Sequence, residues 1–239
     1  MTVDELQAAA YSANLEIFRR GLAILTWGNA SVFDAGSGLI AIKPSGVPYE
    51  RLAPENMVVL RAATGEIVGD GSWRPSSDTA THRALYNAFP QIGGIVHTHS
   101  RKATAWAQAG HDIPCFGTTH ADHFYGPIPC TAPMTAQEVR DGEGYEHNTG
   151  LVIVRTFRER GLDPLQVPGV LVHGHAPFAW GPDAAYAVEN ATVLEEVAGM
   201  ALDTLAIRAD TADLGPHLLD KHFLRKHGAT AYYGQSERR

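Results

Sequence analysis

Two histidine pairs carry the strongest sign of chemistry in this 239-residue sequence. His97 and His99 end one compact apolar run, and His173 and His175 follow another. Side chains at positions i and i+2 of a strand share one face, so the imidazoles of a pair can converge on a single ion. Catalytic zinc takes three protein ligands, a count that two histidines from one strand and a third from a distant strand would meet. The simpler alternatives are surface hydrogen bonds for the first pair and turn caps for the second.

Three polar turns could hold an anion. Ser76, Ser77 and Asp78 directly precede a helical pattern, where Ser and Asp are preferred N-caps, and capping alone explains them. The same hydroxyls and the free N–H groups of a helix N-terminus also bind phosphate, with Asp78 then turned toward a metal. Residues 43–46 would offer a cation, a hydroxyl and an approachable backbone to that phosphate, and residues 26–29 form a third polar turn. None of the three turns is specific alone.

Two further residues could move protons. Asp122 lies between His120 and His123, where a carboxylate either caps a helix or, with a partner, serves as a general acid or base. Tyr233, near the C-terminus, either buries apolar surface or delivers a proton to a developing alkoxide, since a phenol hydroxyl is a weak acid. Both interpretations stay open on the residues alone.

Composition excludes several classes of protein. The sequence has 26 acidic against 19 basic residues, a net charge of −7, which argues against nucleic-acid binding through a basic face. Its two cysteines, Cys115 and Cys130, are predicted to be buried free thiols and suit a reducing cytosol. The first residues show no secretory signal, and no apolar run approaches the roughly 20 residues of a membrane span. We therefore expect a cytoplasmic protein that binds no membrane and whose core folds without a disulfide or a metal.

Periodicity predicts helices around a strand-rich middle. A capping box at Thr2 and Glu5 opens the first helix, which ends at Gly21. A second helix is predicted to follow Asp78 and to stop at Pro90. Further helices are predicted at residues 101–109, at 135–160 with a glycine-rich break, from Pro182 onward as the longest, and at 216–227. Short strands are predicted at residues 23–27, 30–33, 39–43, 57–61, 93–99 and 169–173, the last continuing through 178–180.

These elements predict one α/β domain with a mixed, mostly antiparallel β-sheet flanked by helices. The sequence shows no internal repeat and no linker long enough to divide the chain. The domain is expected to span residues 1–234, followed by a polar tail at residues 235–239.

Taken in order along the chain, these stretches resemble the class II aldolase superfamily, and within it the L-ribulose-5-phosphate 4-epimerases. The matching runs reach from near the N-terminus almost to the end: residues 25–29, 42–47, 75–83, 93–100, 117–122, 168–181 and 219–234. The resemblance implies a central antiparallel sheet flanked by helices, a C4-type homotetramer and a divalent metal, Zn²⁺ with Mn²⁺ as the alternative. No nicotinamide cofactor is expected.

The resemblance also assigns roles to residues. The metal ligands would be His97, His99 and His175, with Asp78 as a further ligand; the family's third ligand stands in a His-Gly pair, and here Ala176 follows His175. Substrate and phosphate would contact Gly28, Asn29, Lys43, Ser45, Gly46, Ser76 and Ser77. Asp122 and Tyr233 would be the two acid/base residues, the tyrosine reaching in from a neighbouring subunit. Related sugar-phosphate aldolases carry Glu in place of Asp78, which favours the epimerase.

The implied activity is metal-dependent conversion of L-ribulose 5-phosphate to D-xylulose 5-phosphate, an isomerase reaction of pentose metabolism such as arabinose catabolism. C4 carries no acidic hydrogen, so inversion there would need retro-aldol cleavage between C3 and C4, rotation of the phosphorylated fragment and recondensation, with the metal as Lewis acid. A sugar-phosphate aldolase that releases the aldehyde is the first alternative. A metal-dependent hydrolase and a non-catalytic metal-binding protein are the others.

Overall fold

Helices and strands follow the sequence periodicity over most of the chain. The computed structural model describes residues 1–69, 71–140, 144–229 and 231–232. Within them the helices are α1 (Val3–Arg19), α2 (Thr79–Ala88), α3 (Arg101–Ala109), α4 (Thr118–Ala121), α5 (Ala136–Arg140), α6 (Tyr145–Arg160), α7 (Ala184–Ile207) and α8 (Pro216–His227). The strands are β1 (Asn29–Asp34), β2 (Leu39–Ile42), β3 (Val58–Arg61), β4 (Ile67–Val68), β5 (Gly94–His97), β6 (Gly169–Leu171) and β7 (Pro177–Gly181).

The capping box predicted for the first helix is present. The N–H of Glu5 donates to Thr2 Oγ1 at 3.2 Å, and the N–H of Thr2 donates to Glu5 Oε2 at 2.8 Å. These two bonds satisfy backbone donors that the start of a helix leaves without an intrahelical partner. The buried face of α1, which includes Leu6, Ala10 and Ile17, packs against β1 and β2.

The strands form one seven-stranded sheet in the order β4-β3-β2-β1-β5-β7-β6. Every neighbouring pair is antiparallel, which confirms the mostly antiparallel sheet and leaves no mixed portion among the described strands. The prediction that residues 178–180 continue the preceding strand is wrong. They belong to β7, a separate strand that turns back and pairs with β6. Gly174, at φ 68°, supplies the left-handed conformation in that turn.

Two layers of helices cover the sheet. α1 and α7 pack against one face and contact each other. α2 and α6 pack together on the other face, and Gly150 permits their close approach, since a Cβ there would lie 2.6 Å from that of Ala84. Side chains alternate along β1, so Ser31 faces α2 and forms hydrogen bonds with His82 and Tyr86. The predicted α/β class is confirmed.

The predicted strand at residues 23–27 is wrong. These residues form turns and irregular backbone, and Leu25 has a φ of 57°, which an extended strand cannot contain. Their β-prone side chains indicated a strand, but both edges of β1 are already paired, with β2 and β5. Ile24 and Trp27 consequently stay largely exposed.

Several predictions concern segments where the description is partial. The helix predicted at residues 135–160 is divided into α5 and α6, and residues 141–143, which include part of the predicted glycine-rich break, lie outside the described residues. Tyr233 and the tail at residues 235–239 also lie outside them. In the described part of the chain, no helix combines the length and the apolar character needed to cross a bilayer.

Candidate active site

Three histidines from two distant parts of the chain meet at one edge of the sheet. His97 is the last residue of β5, His99 lies two residues further on, and His175 lies in the turn between β6 and β7. Their ring centroids are 5.0, 5.0 and 5.1 Å apart, which forms a nearly equilateral triangle. One nitrogen from each ring lies within 4.8 Å of those from the other two rings. The three imidazoles are therefore placed where they could share one ion.

His97 is oriented through the nitrogen that faces away from the cluster. Its Nδ1–H donates to the carbonyl of Pro177 at 2.9 Å, because a carbonyl can only accept. The ring stacks on Phe178 with the centroids 4.1 Å apart. In the neutral ring Nε2 then carries no proton, and it lies 4.0 Å from Oδ2 of Asp78. A backbone carbonyl that sets the tautomer in this way is typical behind metal-ligating histidines.

Asp78 lies at the start of α2, but its carboxylate turns toward the histidines. The side chain forms no capping bond with the helix, contrary to the simpler interpretation of this position. The side-chain amide of Asn29 donates to Asp78 Oδ2 at 2.8 Å. Burial by itself would raise the pKa of Asp78, but the neighbouring His97 and His82 and the Asn29 bond outweigh it and lower the pKa. Asp78 therefore offers an ionised oxygen ligand.

The donor set fits a divalent transition metal. Burial first, and the neighbouring His97 and His99 second, lower the pKa of His175 to about 4. Burial also lowers the pKa of His99, so both rings are neutral at pH 7, as metal ligation requires. Nδ1 of His175 is buried with no hydrogen-bond partner among the described residues, an arrangement that costs free energy unless the ring is bound to something. Neutral imidazoles beside one carboxylate suit zinc.

Two polar turns lie side by side next to the histidines. The N–H of Ser45 donates to the carbonyl of Arg74 at 2.9 Å, and the N–H of Ser76 donates to the carbonyl of Lys43 at 3.0 Å. These backbone bonds join the two turns that the sequence marked separately as possible anion sites. Ser45 and Ser77 are exposed, so their hydroxyls are accessible to a ligand.

Lys43 brings a buried positive charge to the same place. Its Nζ lies 3.4 Å from the carbonyl oxygens of Thr26 and Pro44 and 5.0 Å from the ring centroid of Tyr49. No carboxylate among the described residues forms a salt bridge with it. Burial lowers the pKa of Lys43 to about 8, so the side chain is mostly charged at pH 7. An anion in the cavity would supply the charge partner that burial otherwise denies this ammonium group.

Gly28 permits the third turn to approach the end of β5. Its φ is 72°, and a Cβ at this position would lie 2.7 Å from the carbonyl oxygen of His97. A side chain here would therefore push the turn away from the histidines or distort the strand end. Tyr49 donates its hydroxyl to the carbonyl of Gly28 at 3.0 Å and holds the turn in place.

All these groups line one cavity of about 610 Å³, a volume typical of small-molecule sites. Its walls contain the three clustered histidines, Asp78 and every residue predicted to contact substrate: Gly28, Asn29, Lys43, Ser45, Gly46, Ser76 and Ser77. Tyr145 and Glu146, at the start of α6, also line it. Sequence reasoning missed these two residues, because only their position after a glycine-rich break, at the start of a helix, sets them apart.

Asp122 lies outside that cavity and is bound by the C-terminal helix. Arg225 donates to both carboxylate oxygens, at 2.9 and 2.8 Å, and His222 Nδ1 donates to Oδ1 at 3.0 Å. Burial alone would raise the pKa of Asp122, but the bonds from Arg225 and His222 outweigh it and lower the pKa. His227 also donates to the backbone carbonyl of Asp122 at 2.9 Å. These contacts keep Asp122 ionised and anchor α8 to α4.

Asp122 is not among the residues that line the cavity of the three histidines. The next residue, His123, lines a second cavity beside Gly181, at one end of β7. His97 instead pairs with Phe178, which lies three residues back from Gly181 along β7, or roughly 10 Å of strand. Within one chain, the structure therefore does not bring Asp122 to the three histidines.

His173 does not join the cluster, although its sequence setting resembles that of His97. Its N–H donates to Thr131 Oγ1 at 3.0 Å, and its ring lies so close to Gly110 that a Cβ there would be 2.6 Å away. The turn also accommodates Ala176 without strain, because Leu25 is the only non-glycine residue with a positive φ in the described part of the chain.

Comparison with known proteins agrees with this geometry. Residues 8–202 match the family described as Class II Aldolase and Adducin N-terminal domain. The chain is 52% identical, over 233 residues, to proteins named L-ribulose-5-phosphate 4-epimerase UlaF from Salmonella paratyphi C (strain RKS4594) and Salmonella typhi, covering 98% of this chain and 100% of each relative. A solved structure named L-fuculose 1-phosphate aldolase resembles it with a TM-score of 0.75 at 20% identity, covering 91% of this chain and 94% of that one. This last likeness concerns the fold alone.

Proposed function

This chain belongs to the class II aldolase and adducin family, and on that premise we propose that it interconverts L-ribulose 5-phosphate and D-xylulose 5-phosphate by inverting C4. The observation that carries the proposal is one cavity. Its walls hold three imidazoles that could share an ion, two turns that an anion can reach, and a buried lysine. The 52% identity with named epimerases over their full length supports this substrate.

The chemistry explains why such a cavity needs both parts. The hydrogen on C4 is not acidic, so removing it cannot invert the centre. Cleaving the C3–C4 bond turns the C4 carbon and its hydroxyl into an aldehyde. The hydroxyl proton must leave as the bond breaks, and a proton must return to the C4 oxygen, on the other face, as the bond reforms. The phosphorylated fragment must stay bound while it rotates, which requires a firm hold on its phosphate.

We assign the hold on the phosphate to the two joined turns. Ser45 and Ser77 present accessible hydroxyls, Gly46 presents backbone that no side chain covers, and Lys43 supplies positive charge. Hydrogen bonds from such groups to an anion are stronger than bonds between neutral groups. The same set would retain glycolaldehyde phosphate during rotation.

We assign metal binding to His97, His99 and His175, with Asp78 as a further ligand. A divalent ion held there, Zn²⁺ or alternatively Mn²⁺, would supply Lewis-acid stabilisation to oxygens of the sugar. The chain's own contribution is to keep His99 and His175 neutral and to orient His97 through Pro177.

We further propose that each site is shared between subunits of a homotetramer. Asp122 and Tyr233 would exchange protons with the C4 oxygen on opposite faces. Asp122 does not line the cavity of its own chain's histidines, which supports a site completed at a contact between two subunits. In a cyclic oligomer with heterologous interfaces, one surface of each subunit contacts a different surface of the next. Residues of two chains can therefore meet at one site.

The direct test is conversion of L-ribulose 5-phosphate to D-xylulose 5-phosphate with no nicotinamide added to the epimerisation step. We expect the product to form until equilibrium, without accumulation of a free aldehyde. Accumulating glycolaldehyde phosphate would favour an aldolase of the same superfamily. No conversion by metal-loaded protein would contradict the proposed activity.

Replacement of a phosphate-site hydroxyl should weaken substrate binding more than it slows turnover. We expect Ser77→Ala to raise KM by roughly tenfold to a hundredfold with a smaller change in kcat, because the contact exists in both ground and transition states. Steady-state kinetics measures this, and Ser12→Ala, an exposed serine on α1, is the matched control. Unphosphorylated L-ribulose should be a very poor substrate, and equal turnover of the free sugar would rule out the anion site.

A further inference from the structure

Three successive contacts join the face of β1 that points toward α2 to that helix. We call them the three rungs, and they are Asn29 with Asp78, Ser31 with His82, and Phe33 with Tyr86. On the strand the positions advance by two residues, and on the helix they advance by four. The first rung lies at the proposed metal site, while the other two lie behind it in the interior.

Hydrogen bonds connect the second and third rungs through one hydroxyl. Ser31 Oγ lies 2.7 Å from His82 Nδ1 and 2.8 Å from the hydroxyl of Tyr86. Tyr86 also donates to the backbone carbonyl of Ser31 at 3.1 Å, and its ring lies 5.0 Å from that of Phe33, centroid to centroid. Ser31, His82 and Tyr86 are all buried, so a partner lost here would not be replaced by bulk water.

The spacing of the rungs follows from the geometry of the two elements. Four residues of α-helix advance by about 6 Å, and two residues of strand advance by about 6.6 Å. A helix lying along a strand can therefore repeat the same contact at every second strand residue. A slip of α2 by one residue would separate all three pairs at once, so the inner rungs determine where the outer one lies.

The outer rung is the one that matters for the metal. Asn29 pairs with His97 across β1 and β5, and its amide donates to the carboxylate of Asp78. Asp78 begins the helix whose first turns carry the inner rungs, and its carbonyl accepts the N–H of His82. The position of the Asp78 carboxylate beside His97 thus depends on the register of α2 against β1.

We propose that Ser31, His82 and Tyr86 are positioning residues of the metal centre, which hold Asp78 at the distance from the histidines that metal binding requires. This inference rests on the metal site of the proposed function. None of the three residues is placed among the ligands or lines the cavity. They act through the register of the helix, and the effect should appear in metal affinity.

Ser31→Ala tests the inference with the smallest change, because it removes the shared hydroxyl and leaves both rings in place. We expect Zn²⁺ affinity, measured by competition with a chromophoric chelator, to fall by roughly tenfold or more, as found when groups that orient metal ligands are altered. Tyr86→Phe, which keeps the ring against Phe33, should cause a smaller loss. Thr156→Val is the control, since it removes another buried hydroxyl bond, to the carbonyl of Val152 on α6.

A double-mutant cycle with Asp78→Asn separates positioning from general loosening of the fold. If Ser31 acts through Asp78, Ser31→Ala should cause little further loss of Zn²⁺ affinity once Asp78 is replaced. An equal loss in both backgrounds, or a lowered melting temperature with unchanged Zn²⁺ affinity, would overturn the inference. Failure of the unaltered chain to bind Zn²⁺ would overturn the proposed metal site itself, a result distinguishable from one confined to the Ser31 variant.

Discussion

Treatment with a chelator should abolish epimerisation, and added Zn²⁺ or Mn²⁺ should restore it. His97→Asn should reduce metal occupancy, measured by elemental analysis, and lower kcat/KM by about 10³-fold or more, since a Lewis-acid metal contributes several kcal/mol to transition-state stabilisation. The fold should survive, because a core of this size does not depend on an ion. Some loss of stability is expected, since the His97 ring stacks on Phe178.

His173→Asn is the matched control for this prediction. Like His97, His173 is separated from a second histidine by one residue. Its ring, however, lies against Gly110 and not in the cluster. We expect metal content and kcat/KM of this variant to stay close to those of the unaltered protein. Full activity in metal-free protein, or equal losses in the His97 and His173 variants, would contradict the proposed metal centre.

Two inactive variants should restore activity when their subunits are mixed. Asp122→Asn and Tyr233→Phe should each be severely impaired with metal still bound, because each removes one of the two proposed proton carriers. If one site takes Asp122 from one chain and Tyr233 from its neighbour, dissociation and random reassembly leave about one site in four with both original residues. Activity of the mixture should therefore approach a quarter of that of the unaltered protein.

The structure supplies a necessary control for the Asp122 variant. Asp122 anchors α8 through Arg225 and His222, so its replacement could loosen that helix as well as remove a proton carrier. Hydrogen exchange of α8 amides in the Asp122→Asn protein measures this directly. Native mass spectrometry should confirm mixed tetramers. Mixed tetramers without recovered activity, and with α8 protected as before, would contradict the shared site.

Local sequence patterns determined many of the elements. Gly110 and Gly228 mark the ends of two helices, and α3 and α8 span the residues that periodicity predicts. The capping box at Thr2 and Glu5 forms as expected. Such features depend on residues only a few positions apart, whose interactions are nearly the same in any protein, so the sequence suffices to predict them. Periodicity also predicted the α/β class, and the chain-long resemblance added the family; the structure and the comparisons confirm both.

Tertiary structure decided which of these residues meet. His97 and His173 have similar sequence settings, yet only the first lies in the cluster, because Thr131 and Gly110 hold the second elsewhere. The Ile-Leu-Thr-Trp segment has the composition of a strand but finds no free edge of β1 to pair with.

The three rungs and the contacts between Asp122 and α8 likewise could not be predicted from the sequence, because they join residues far apart in the chain. Ser31 and His82 are 51 residues apart, and Asp122 and His222 are 100 apart, so neither contact leaves a local pattern. A sequence records which residues could form a hydrogen bond or bind an ion. Which of them do so depends on how whole faces of helices and strands pack, and that is settled by contacts between segments far apart in the chain.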